Sequence, residues 1–348
     1  MRYTQVRMRR NTRFPALAAP LAAVSAAAAA ALLSLGAANS AGCAIAAAPE
    51  PQSVTAAAVG NVPTTLAGIA YEPAAPLNAA LKPLFDAAAP PENRTYSLSY
   101  AGGGGKSVPA LMTIPGSKAD GAKKPCVLLL HGLGGRKEDM LLLGIALARR
   151  GYASIALDIA GHGQREKIGG KPVSDLALPE MRQVAAQTVI DLRRATDYAV
   201  SHPEIDAGRI GYVGVSLGGI IGGVFVASEP RLRGGVLWAA GGDWGKLITT
   251  SQHAFAKKYR EKGETDAAKI EAVMGDVDPQ RYIASASPRP LLFLNGTEDQ
   301  VVPRACTESL YAAAKDPKNI KYIPGGHVPD LKVLLTDTLD WLDANVRK

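Results

Sequence analysis

The sequence predicts an α/β protein built on a mostly parallel eight-stranded sheet with helices on both faces and a small helical cap insertion. Three observations carry this expectation. Beyond residue 107, short apolar runs alternate with amphipathic stretches of helical period, the pattern of strands joined by helical crossovers. The runs are short and glycine-punctuated, as strands buried on both faces are. Residues able to do chemistry recur just past the ends of those runs, where open sheets of this type bind their ligands.

The elements follow in order. "TYSLSYA" (95–101) and "SVPALMTIP" (107–115) flank "GGGGK", which reads as a hairpin. The same glycines invite a phosphate-loop reading, but that motif needs glycine six residues before Lys106, where Tyr100 stands, and a following helix rather than a strand. "CVLLLHG" (126–132) is the next strand, and "EDMLLLGIALARRG" is a helix with a basic last turn stopped by Gly151. "YASIALD" is a strand. In "PEMRQVAAQTVIDLRRATDYAV", Val184, Thr188, Leu192, Ala195 and Ala199 fall on one helical face. Then come the strand "RIGYVGVS", a glycine-rich helix from Leu217, the strand "GGVLWA", the strand "RPLLFLNG", a helix near 304–314, the strand "NIKYIPG" and a final amphipathic helix from about Asp330. Between "GGVLWA" and "RPLLFLNG", residues 244–283 form an amphipathic helical insertion able to cap a pocket.

The ends of the chain set the domain plan. Five arginines lie within the first 13 residues and no acid occurs before Glu50, so the formal net charge of +8 owes much to the leader and leaves no basic run elsewhere. A nucleic-acid surface is therefore not expected. The basic start, the alanine-rich apolar stretch and the small residues of "NSAGCAIAAAPE" have the order of a secretory signal over residues 1–48, followed by a linker over 49–75 and a catalytic domain over 76–348. "SAGC" resembles a lipoprotein box, with Ser40 at the place usually held by leucine. Membrane attachment through lipidated Cys43 and cleavage near Ala48 are both open, and either makes the protein exported, periplasmic or secreted. Cys126 and Cys306 remain, too few for a disulfide framework.

The chemistry gathers around "GYVGVSLGGI" (211–220). Gly-x-Ser-x-Gly at a strand-to-helix junction is the turn that lifts a serine hydroxyl above a sheet. Serine is a weak nucleophile and needs a base, itself held by a carboxylate. Of five histidines, His327 in "PGGHVP" follows the last strand and is the natural base. Glu298 and Asp299 follow the preceding strand; Asp299 is preferred, with Asp243 in "GGDWG" as runner-up. "LLLHGLGG" (128–135) ends a strand in a loop of free amides, so the N–H groups of Leu133 and Leu217 are assigned as donors to an oxyanion. His162 in "GHG" and Trp244 at the start of the insertion are candidate substrate contacts. No histidine pair has metal-ligand spacing, and no metal or other cofactor is expected.

"HGLGG", "GVSLGG", "NGTEDQVVP" and "GGHVP", in that order, resemble the α/β-hydrolase superfamily. "LDIAGHGQR" (157–165) and "HPEIDAGRIGYVG" (202–214) are similar to its dienelactone-hydrolase-like and acetyl-xylan-esterase-like branch, close also to the catalytic domain of prolyl oligopeptidases. Over residues 76–346 the resemblance implies a serine esterase with Ser216, Asp299 and His327 in the triad roles, acting on a small-molecule ester, and the modest size of the 244–283 insertion points to small or medium acyl groups. Two departures narrow it. Dienelactone hydrolases use cysteine where this chain has serine, and no repeat of propeller-blade length accompanies the domain. A peptidase or amidase with the same triad and a non-catalytic binding protein on the same fold are the rival readings.

Overall fold

The computed structural model describes residues 65–84, 93–116 and 122–348. The leader, Cys43 and the first part of the linker lie outside the described residues.

A nine-stranded sheet runs through the molecule in the order β11-β10-β9-β8-β6-β7-β5-β4-β3. Its strands are β3 (Ala80–Pro83), β4 (Asn93–Ala101), β5 (Ser107–Pro115), β6 (Lys124–Leu130), β7 (Ala153–Leu157), β8 (Ile205–Val215), β9 (Leu232–Trp238), β10 (Leu291–Gly296) and β11 (Lys318–Ile323). From β7 to β11 all neighbours are parallel, whereas β3, β4, β5 and β7 pair antiparallel. Eight strands were expected; the ninth is β3, an edge strand whose four residues are all exposed. With no apolar alternation to bury, it leaves no periodic signal in the sequence.

Strand β6 shows why the apolar runs become central strands. Cys126, Leu128 and Leu130 point into one core cluster, and Val127 and Leu129 into the other, all with no exposed surface. A strand buried on both sides needs a continuous apolar run rather than alternation. Helices α1 (Leu141–Arg149) and α8 (Leu331–Asn345) cover one face through Leu143, Leu147, Leu335, Leu339 and Leu342. The other face receives α2 (Leu178–Ser201) and α3 (Leu217–Ser228), and the five α2 residues picked out by helical spacing are fully buried there.

The insertion folds as three short helices, α4 (Trp244–Thr250), α5 (Ala254–Glu261) and α6 (Ala267–Met274), N-capped by the side chains of Asp243, His253 and Asp266. Helix α7 (Arg304–Ala313) follows the β10 loop. The glycine turn at 103–105 joins antiparallel β4 and β5. Its Gly103 N–H donates to Asp191 Oδ1 at 2.9 Å, so the loop's first amide already has a carboxylate partner.

The linker reading needs correction at its C-terminal end. A small antiparallel pair, β1 (Thr65–Leu66) and β2 (Ile69–Ala70), already packs on the domain. Leu66 is buried, and the Tyr71 hydroxyl donates to Asp197 at 2.7 Å. Composition alone cannot reveal two such short strands because they carry too few residues to set a period.

Both remaining thiols are fully buried, and burial pushes each up to about 12, so neither is a ready nucleophile or a disulfide partner.

Candidate active site

Strand β8 ends at Val215 and helix α3 begins at Leu217, leaving Ser216 alone to turn the chain. It does so at φ 55° and ψ −117°, a region that side chains rarely adopt. The turn is so tight that a Cβ on Gly218 would press into the carbonyl oxygens of Leu130 and His131. Only glycine lets α3 start directly against the end of β6. The Ser216 N–H donates to Trp238 O at 2.8 Å, and the Tyr212 hydroxyl bonds Gly218 O at 2.7 Å, which pins the strained residue from both sides.

Two further loops reach this turn. The β10 loop carries Asp299 and the β11 loop carries His327, and the two are stitched together: Thr297 N–H donates to Ile323 O and Glu298 N–H to Gly325 O. Gly296 sits so close under this stitch that a Cβ there would collide with Gly326 O. The outcome is a continuous relay. His327 Nε2 lies 2.9 Å from Ser216 Oγ, and His327 Nδ1 lies 2.8 Å from Asp299 Oδ2. The other carboxylate oxygen of Asp299 accepts the N–H groups of Val301 and Val302 at 2.8 and 2.9 Å. Asp299 is buried, His327 and Ser216 are half-buried, and Glu298 is exposed. Asp243 is not part of this relay: its carboxylate caps α4 at Lys246 N–H and pairs with the Lys246 ammonium.

Leu217 is the first residue of α3, so its N–H has no intrahelical acceptor. Gly132, which precedes Leu133, packs against Ser216, with a hypothetical Cβ 3.3 Å from the serine Cβ. The backbone bond of that loop runs from Gly135 N–H to Gly132 O and leaves Leu133 N–H outside it. Among the described residues neither assigned amide has a hydrogen-bond acceptor; Leu217 follows the serine directly, and Leu133 follows Gly132, which packs on it.

What holds the Leu133 loop is a buried network that sequence reasoning did not assign. Asp158, at the end of β7, accepts Lys137 N–H at 2.7 Å, the Lys137 ammonium at 3.1 Å and Gln164 N–H at 3.0 Å. Beside it, Ile159 N–H donates to His131 Nε2 at 3.1 Å, and His131 Nδ1 bonds Gly132 O at 2.8 Å. Lys137, Asp158 and His131 are all buried. The signal was present in "LDIAGHGQR", but a strand-end Asp looks the same in sequence whether it points to solvent or into a core. Replacing Asp158 by alanine leaves the buried Lys137 ammonium only its pair with Glu138, strands two amides, and is expected to cost roughly 3 kcal/mol of stability. Urea titration of Asp158→Ala against wild type measures this, and an unchanged midpoint would show the network to be idle.

The two candidate substrate contacts are both buried. His162 packs on His131 with ring centroids 5.3 Å apart and bonds Ala160 O through Nδ1, while Trp244 starts α4. His162 Nε2 and Trp244 Nε1 have no hydrogen-bond partner among the described residues. Among the described residues neither ring hydrogen-bonds to Ser216, Asp299 or His327. Burial, reinforced by His131, pushes His162 down to about 4 from its ordinary 6.5. The unfolded chain then binds a proton at this site below 6.5 that the folded chain refuses until about 4. Stability consequently falls as pH drops through that window, by roughly 3 kcal/mol at most. Denaturant midpoints at pH 7 and pH 4.5 should diverge less for His162→Gln than for wild type; equal divergence would assign the loss to other groups.

Among the described residues no group of three or more His, Cys, Asp or Glu side chains is gathered as a metal ion would require, and no helix is long and apolar enough to cross a membrane.

Comparison with known proteins agrees with this geometry. The profile of the prolyl oligopeptidase family matches residues 144–323. The Bacillus subtilis (strain 168) protein named "Putative esterase YitV" is 25% identical over 240 residues, covering 63% of this chain and 89% of that one. Among solved structures, an acetyl xylan esterase from Paenibacillus sp. R4 superposes with a TM-score of 0.67 at 19% identity, covering 78% of this chain and 90% of its own. Acetyl xylan esterase 1 from Thermoanaerobacterium sp. JW/SL YS485 gives 0.63 at 20% identity, covering 78% and 89%. At such identities these two structures speak for the fold, which is the α/β-hydrolase fold.

Proposed function

Because this chain belongs to the prolyl oligopeptidase family of α/β-hydrolases, we propose that it is a serine esterase that cleaves carboxylic esters of small or medium acyl groups through an acyl-enzyme on Ser216. The observation that carries the proposal is the unbroken hydrogen-bonded line from Ser216 Oγ through His327 to Asp299, built at a strained strand-to-helix turn.

In the proposed cycle, Ser216 Oγ attacks the ester carbonyl while His327 Nε2 takes the hydroxyl proton. The carbonyl π-electrons move onto oxygen, and the resulting oxyanion is met by the N–H groups of Leu133 and Leu217. Collapse of that intermediate breaks the bond to the alcohol, which leaves with the proton from His327. Water then attacks the acyl group, again giving its proton to His327, and the acid departs as Ser216 regains its hydrogen. Asp299 holds the imidazole with its proton on Nδ1, so that Nε2 is free to accept. His162 and Trp244 are proposed to face the bound ester from the buried side, each with one polar atom still unpaired.

The family description favours a second reading, a peptidase or amidase on the same relay. The esterase reading rests on the likeness to acetyl xylan esterases across nearly their whole length, whereas an acylaminoacyl peptidase from Pyrococcus horikoshii is matched over 49% of its chain. Rates on p-nitrophenyl acetate and on the matching p-nitroanilide separate the two. The proposal expects rapid release of nitrophenol with a burst, slower turnover of longer acyl esters and a much slower anilide; the reverse order would assign a peptidase. Covalent labelling of Ser216 by an organophosphonate, read by mass spectrometry, tests the non-catalytic alternative at the same time. The proposed leader over residues 1–48 would make this activity extracytoplasmic, which fractionation and N-terminal mass determination of the mature protein would check.

A further inference from the structure

The cap insertion is fastened to the loop that carries the acid, at one place. Between α4 and α5 the chain turns through Ser251, Gln252 and His253. The Ser251 hydroxyl donates to Val301 O at 2.6 Å and accepts His253 N–H at 3.1 Å, and the side chain is buried with 1% of its surface exposed. Gln252 N–H donates to Gln300 O at 2.7 Å. These two acceptors belong to the residues directly after Asp299. The Val301–Val302 peptide unit is therefore gripped at both ends: the Val302 N–H holds Asp299 Oδ1 and the Val301 C=O is held by Ser251. A rotation of that peptide would withdraw one of the two amides that fix the carboxylate, and so shift the oxygen that meets His327 Nδ1.

The same turn brings a second imidazole to the site. His253 Nδ1 caps α5 by accepting Phe255 N–H at 3.1 Å, which leaves the ring's proton on Nε2. It stands near enough to His327 for the two rings to repel when charged.

We infer that Ser251 is a positioning residue of the hydrolytic site, which orients Asp299 through the Val301–Val302 peptide and makes the α4–α5 turn of the cap a working part of the relay. This rests on the esterase reading for its kinetic test but not for its structural one. In a hydrolase whose cap were only a cover, the insertion would touch the substrate and leave the acid loop alone. Here any displacement of α4 or α5 by a bulky substrate pulls on Val301, so that fit in the cap is felt at the carboxylate. The turn thereby joins substrate size to proton transfer.

The experiment compares wild type, Ser251→Ala and Lys257→Ala. Lys257 is exposed on α5, away from the turn, so its variant serves as the unchanged control. With p-nitrophenyl acetate, and sites counted by phosphonate titration, Ser251→Ala is expected to lower kcat per titrated site by roughly tenfold to a hundredfold with KM nearly unchanged, as small displacements of a catalytic group do. In the same samples, long-range 15N spectra of His327 report its tautomer without any turnover. Wild type should hold the proton on Nδ1, and Ser251→Ala should move part of the population to Nε2. Wild-type kcat per site together with an unchanged tautomer in Ser251→Ala overturns the inference. So does a loss explained fully by a smaller folded fraction in a thermal melt. Should Ser251→Ala fail to fold, Ser251→Cys, which keeps a weak donor of similar size, carries the same two measurements. If wild type hydrolyses no ester while the tautomer still responds to Ser251, the esterase reading falls and the positioning role stands.

Discussion

Substituting Ser216 by alanine should lower kcat on an activated acyl ester by roughly 10³- to 10⁶-fold while leaving the protein folded. The size follows from chemistry: without Oγ no acyl-enzyme can form, and what remains is water attack assisted by the Leu133 and Leu217 amides and by binding. Folding should be spared because the hydroxyl's bond is to a half-buried imidazole, while the strained turn is held by backbone and by Tyr212. Relief of a clash-prone side chain is not involved, since alanine keeps the Cβ. Stopped-flow release of nitrophenol and circular dichroism, run on the same sample, separate chemistry from structure. Ordinary turnover in the alanine variant would remove the basis of the proposed mechanism.

Asp299→Asn should be nearly as severe, with kcat reduced by roughly 10⁴-fold. The reason is geometric. The Oδ1 side of Asp299 accepts two backbone N–H groups, from Val301 and Val302. Asparagine must place its carbonyl oxygen there, which turns its amide donors toward His327 Nδ1. That nitrogen must then accept rather than donate, so the imidazole proton moves to Nε2 and points at Ser216 Oγ. The base is thereby blocked although every heavy atom is in place. Asp299→Ala should cost less in tautomer terms but more in loop order, because Val301 and Val302 lose their acceptor. Comparing the two variants with the corresponding Glu298→Gln, expected to be silent because Glu298 is exposed, tests the choice of acid. A silent Asp299→Asn would reassign it.

The sheet was legible because its central strands obey a strong rule. "CVLLLHG", "YASIALD" and "RPLLFLNG" are continuous apolar runs, and β6, β7 and β10 are buried on both faces. Strand β3 escaped because it is short, exposed and on the edge, and the β1–β2 pair escaped because two-residue strands have no period. At the candidate site, Ser216, Asp299 and His327 could be read from three separate strand ends, since parallel topology sends all such ends to one rim. The supporting contacts could not be read this way. Asp158, Lys137 and Ser251 act through partners 21 and 50 residues away in sequence, and no local pattern distinguishes a buried serine hydroxyl from an exposed one. His162 and Trp244 rest on sequence position alone, one after a strand and the other at the start of the insertion, and the structure buries both.

The order of the strands has one more consequence. His327 stands 111 residues beyond Ser216 and hangs from β11, the border strand of the sheet, which has a neighbour on only one side. A growing polypeptide would therefore lay down every other strand of its sheet before the one that delivers the base, and would stay inert until that last strand docks. On warming, the same border should fray first, silencing hydrolysis at temperatures where the bulk of the chain still resists melting.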